Sequence, residues 1–68
     1  MNQKTKALTY FNYALSLDPN HEKTLLNKAQ LLLLDNKIKD ALICVDKLLM
    51  LNPDHQLGLL LLNQLNEI

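Results

Sequence analysis

The sequence predicts an all-α fold of about four helices, stacked as antiparallel pairs. Three observations carry that prediction. The chain repeats itself at an offset of 34 residues: residues 1–34 laid on 35–68 give 11 identities, among them Ala7/Ala41, Pro19/Pro53 and His21/His55. Apolar residues recur at helical spacing in four segments. Residues that break or turn a helix, Pro19, Asn36 and Pro53, stand between those segments.

Each element follows from its own pattern. Residues 3–17 put Ala7, Leu8, Phe11, Ala14 and Leu15 on one helical face. Residues 22–34 carry Leu25, Ala29 and Leu32 on one stripe, widened by Leu26, Leu33 and Leu34. Residues 38–51 repeat the first pattern with Ala41, Leu42, Val45, Leu48 and Leu49. Residues 56–67 present Leu59, Leu60, Leu62 and Leu65. Between the second and third, "DNK" turns through Asn36, which tolerates the left-handed conformation. Around the prolines, Asp18, Asn20, Asn52 and Asp54 are placed to cap the helices that follow. Glu22 adds a negative charge where the helix dipole favours one.

Bulk composition narrows the class. Sixty-eight residues make one small domain, residues 1–68. Nineteen leucines, 49% hydrophobic residues, one Gly and two Pro belong to a helical globular chain, not a disordered one. Seven lysines balance seven acids and there is no arginine. Such a chain has no electrostatic footprint for nucleic acid and lacks the usual bidentate reader of guanine. A single cysteine, Cys44, excludes an internal disulfide and fits a reduced thiol in the cytoplasm. The N-terminus lacks the long apolar run of a signal peptide. The leucine runs at 31–34 and 59–62 are too short to span a bilayer, so no membrane partner is expected.

No chemistry-bearing cluster stands out. His21 and His55 invite a metal reading, but no Cys or carboxylate completes a zinc site with them. They read as turn or helix-start residues. Ser16 has no base and orienting acid marked beside it. Asp35, Asp40, Asp46, Lys37, Lys39 and Lys47 read as solvated helix surface, with at most a weak Asp35/Lys39 pair. Gly58 alone cannot make a phosphate loop, and early in the last helix it fits either close packing or fraying. Cys44, between Ile43 and Val45, reads as a packed thiol. Phe11 is expected in the core, and Tyr10 and Tyr13 partly exposed. The expectation is therefore no catalytic residue, no metal, no cofactor, no small-molecule substrate and no enzyme.

The repeat unit has a family likeness. The stretch "KALTYFNYALSLDPN" resembles the second helix of a tetratricopeptide repeat: Ala7, Phe11, Ala14 and Pro19 take the family's small, aromatic, small and proline positions. In residues 22–55, Ala29, Ala41 and Pro53 match. Leu25, Leu32 and Val45 replace aromatics there, Leu48 replaces a small residue, and Asn36 stands in for the turn glycine. The resemblance covers essentially the whole chain. In this register residues 3–17 are the second helix of a partial repeat, 22–55 a full repeat, and 56–68 the first helix of another partial repeat.

That resemblance implies a right-handed α-α superhelix and a non-enzymatic scaffold for protein–protein interaction. In the family the first helices line a concave groove that binds peptides. By register Lys23, Leu26, Asn27, Gln30, Leu33 and Leu34 face the groove from the full unit, and Leu57, Leu60, Leu61 and Gln64 from the last helix. The family's best-known clamp grips a C-terminal carboxylate with Lys, Asn and Arg. Asn27 matches one clamp position, but Leu57 and Leu61 stand where further cations belong, so an apolar groove for a peptide or amphipathic helix is expected instead. Excess leucine supports a second reading, self-association through terminal helices. Leu8, Phe11 and Leu15 at one end and Leu62, Leu65 and Ile68 at the other would pair between chains, head to tail or as a symmetric dimer. A third is that the chain is a fragment of a longer repeat protein. All three keep a protein or peptide as the partner.

Overall fold

A computed structural model describes residues 3–67 as four helices: α1 (Gln3–Leu17), α2 (Glu22–Leu34), α3 (Ile38–Leu51) and α4 (Gln56–Asn66). The limits agree with the sequence pattern to within a residue. α2 lies at the centre. It packs most extensively on α3, and also on α1 and α4; α3 packs on α4 as well. Among the described residues α1 packs on α2 alone. The stack is thin, 33 × 27 × 15 Å along its principal axes.

The two proline turns have the same construction. The first residue of each turn donates its N–H back four positions to end the preceding helix: Asp18 N to Ala14 O at 2.9 Å, and Asn52 N to Leu48 O at 2.9 Å. Three residues on, the histidine N–H closes the turn: His21 N to Asp18 O at 3.2 Å, and His55 N to Asn52 O at 3.1 Å. The histidines then cap the next helices. His21 Nδ1 accepts from Thr24 N at 3.2 Å, and His55 Nδ1 accepts from Gly58 N at 3.0 Å. The caps are therefore the imidazoles and not the Asp and Asn residues expected from the sequence. Asp18 sits too early in the turn, and its Oδ1 accepts from Asn20 N at 3.2 Å instead. Asn52 Nδ2 donates to Glu22 Oε1 at 3.2 Å, which ties the second turn to the start of α2.

The middle turn ends α2 differently. Asn36 has φ 60, the left-handed conformation its sequence position predicted. Asn36 N donates to Leu33 O at 3.0 Å and Lys37 N to Leu32 O at 2.8 Å. These two bonds around a left-handed residue satisfy carbonyls that the helix end would otherwise orphan. The weak Asp35/Lys39 pair that the sequence allowed is not the one Asp35 makes. Asp35 meets Lys4 of α1 at 3.6 Å and Lys37 at 3.9 Å. Both pairs are substantially exposed, so each contributes little to stability.

The core lies between α2 and α3. Ala29, Ala41, Val45 and Leu48 are fully enclosed, with Leu25, Leu26, Leu32, Cys44, Leu61 and Leu65 around them. Two alanines at the centre let the helices approach closely. Gly58 extends that logic to α4: a Cβ there would lie 3.0 Å from Leu48 Cδ2 and 3.2 Å from Leu49 Cδ2. Close packing, the first of the two readings the sequence left open, is what the buried Gly58 shows.

Candidate functional site

α2 and α4 bear the residues that the repeat register assigns to a groove. On α2, Lys23, Gln30 and Leu34 are exposed, and Asn27 and Leu33 are half-buried. Leu26 is buried in the core. On α4, Leu57, Leu60 and Gln64 are exposed, whereas Leu61 is buried. Of these residues the exposed leucines are Leu34 (74%), Leu57 (54%) and Leu60 (56%), and the polar ones are Lys23, Asn27, Gln30 and Gln64. Leu26 and Leu61 belong to the packed core.

The terminal apolar residues are less bare than their sequence positions suggest. Leu8, Leu15 and Leu62 are half-buried and pack against the core. Phe11 is half-buried too, short of the core position expected, and Tyr10 stands edge-on to it with ring centroids 6.1 Å apart. Leu65 is buried at 4%. Ile68 lies outside the described residues. Tyr10 and Tyr13 are well exposed, as expected.

The 34-residue offset supplies an internal standard for α4. Leu25 and Leu59 are equivalent, yet Leu25 is 5% exposed and Leu59 42%. Leu26 and Leu60 are equivalent, at 7% and 56%. α3 packs along α2, and no described element covers α4 in the same way. Leu57, Leu59 and Leu60 therefore form an uncovered apolar patch on the first two turns of α4. Further along, Asn63 and Asn66 are exposed where α2 has buried Ala29 and Leu32. The outer face of α4 is leucine at its start and amide at its end.

Titratable groups add no reactive centre. Cys44 is buried, and burial pushes its thiol above the ordinary value of 9.0, with Lys28 pulling down and Asp40 pushing up less strongly. A thiol so held is a poor nucleophile at neutral pH. Among the described residues no group of three or more His, Cys, Asp or Glu converges for a metal. No described helix is long and apolar enough to cross a membrane.

A sequence model of the tetratricopeptide repeat family matches residues 2–65. The chain belongs to that family, a class of helical-repeat scaffolds for protein–protein interaction that are typically not enzymes. No curated protein and no solved structure matches it.

Proposed function

We propose that this chain holds an apolar peptide or the apolar face of an amphipathic helix on the exposed side of α2 and α4. The observation that carries the reading is the exposure of Leu34, Leu57 and Leu60 among polar neighbours, over a floor that Leu26 and Leu61 help to pack. Apolar anchors within a polar surround are the usual composition of a peptide groove. Lys23, Asn27, Gln30 and Gln64 supply hydrogen-bonding groups along the same two helices. Residues 22–55 act as the full repeat, flanked by a half repeat on each side. A reducing, cytoplasmic setting is supported by the single unpaired Cys44.

Peptides selected from a random library on the intact protein test this. The expected peptides carry apolar residues at i, i+3, i+4 spacing or in an extended alternation, and lose binding to Leu60→Asp. Undiminished binding to Leu60→Asp and Leu57→Asp, with helical content unchanged, would sink the groove.

The bare patch on α4 favours one second reading, self-association. The exposures of Leu59 and Leu60 against Leu25 and Leu26 support it. A head-to-tail stack that copied the α2–α3 contact would bury Asn63 and Asn66 where Ala29 and Leu32 now lie, and an unpaired buried amide costs about 1–3 kcal/mol. The better form is a symmetric dimer through the first two turns of α4. Sedimentation equilibrium separates the two readings. A monomer at 100 micromolar leaves only the groove; a dimer that Leu59→Asp dissociates supports the second.

A further inference from the structure

Among the described residues α1 and α3 both pack on α2 but not on each other. The seam left between them is an open cavity of about 270 Å³. Leu8, Leu32, Ile43 and Cys44 give it apolar walls, and Asn12, Lys28, Lys37 and Asp40 line it as well. Its lining shares no residue with the proposed peptide groove.

The internal repeat marks what is unusual here. Thirty-four residues beyond Lys28 stands Leu62, which is half-buried and packs against the core. The chain has put an ammonium group at the position where its own second copy puts an isobutyl group. Lys28 is itself half-buried, and among the described residues it makes no ion pair or hydrogen bond. The nearby Asp35 is committed to Lys4 and Lys37, at 3.6 and 3.9 Å. Asp40 lines the cavity without pairing with Lys28. Lys4, Lys28 and Lys37 against Asp35 and Asp40 leave one positive charge in and around the seam. No carboxylate of the described residues therefore takes up the Lys28 ammonium in an ion pair.

We propose that this seam binds a small apolar monocarboxylate, with its tail against Leu8, Leu32 and Cys44 and its carboxylate on the Lys28 ammonium. Each part of that assignment has its own reason. One unpaired cation calls for one anion. The Asp40 carboxylate opposes a doubly charged group such as a phosphate monoester. Apolar walls call for a tail rather than a bare ion. A cavity just under the usual range of about 300–1,000 Å³ calls for a short tail. The Asn12 amide supplies a further donor at the same seam.

Octanoate, titrated into the intact protein and followed by amide and methyl NMR shifts, is the test. The expected result is saturable shifts around Leu8, Lys28, Leu32 and Cys44. Octanol should bind about tenfold or more weakly, because it lacks the charge-assisted bond. Lys28→Leu should keep the fold, as Leu62 does at the equivalent position, and weaken octanoate by a similar factor. Asp40→Asn should tighten it. Leu60→Asp should leave octanoate affinity unchanged, which separates this site from the proposed groove. Octanol binding as well as octanoate, shifts centred on Leu57, Leu59 and Leu60, or an unaltered affinity in Lys28→Leu would each overturn the proposal.

Discussion

The two histidines show how much a single acceptor atom contributes in a chain this small. Each imidazole Nδ1 takes a backbone N–H that the start of its helix would otherwise leave unpaired. His21 also brings in a side chain: the Thr24 hydroxyl donates to the same Nδ1 at 2.7 Å, so buried Thr24 is satisfied. His55→Ala removes the acceptor for Gly58 N and should cost about 1 kcal/mol, read as a lower urea midpoint. His55→Asp should recover most of that, since a carboxylate accepts the same bond and suits the dipole. Equal midpoints for wild type and His55→Ala would show that the cap contributes nothing. Cys44 gives a pH-dependent counterpart. Burial raises its pKa in the folded state, so the folded protein keeps the thiol proton after the unfolded chain has lost it. The stability linked to that proton is fully present below the ordinary value of 9.0 and declines as pH rises through the higher folded value. The stability advantage of wild type over Cys44→Ala should therefore be constant near neutrality and shrink in urea titrations above that pH. An advantage independent of pH up to alkaline conditions would contradict the burial account.

At the scale of elements, the sequence showed most of what the structure contains, for reasons that are local. Proline at 19 and 53 and asparagine at 36 decide helix ends by backbone sterics, which neighbours do not alter. Helix limits and the left-handed Asn36 were therefore legible. Which leucine is bare was not. Leu26 and Leu60 are the same residue at equivalent positions, yet one lies under its neighbours and the other has no cover on α4. Burial is set by packing between helices, and a leucine stripe does not encode its neighbour. The cavity between α1 and α3 escaped sequence reasoning for the same reason, although the exchange of Leu62 for Lys28 across the repeat was visible. The histidines stand at the helix starts, as the sequence indicated, but their role as cap acceptors was missed because Asp and Asn stood close by and are the commoner acceptors. The uneven packing also has a dynamic consequence. Among the described residues α1 has none fully buried and packs on one helix only, whereas the enclosed side chains lie on α2 and α3. Native-state hydrogen exchange should open α1 first, with its amides exchanging well before those of Ala29 or Val45. Uniform protection across all four helices would contradict this.

The whole molecule is a stack only 15 Å deep. Its accessible surface is 4785 Å², against about 4,400 Å² for a typical folded monomer of its mass. A thin repeat stack buries little per residue, so apolar side chains remain at the surface by construction. Here they are not spread evenly: Leu57, Leu59 and Leu60 gather on the start of α4, while Asn63, Gln64 and Asn66 follow. That asymmetry leaves the start of α4 apolar and its far end polar at the surface. The most direct test of the central claim is to titrate a library-selected peptide into isotope-labelled protein and map the shifts. The account predicts the largest changes at Lys23, Gln30, Leu34, Leu57, Leu60 and Gln64, and their loss in Leu60→Asp. Shifts centred on α1 and α3, with Leu60→Asp binding as tightly as wild type, would contradict it.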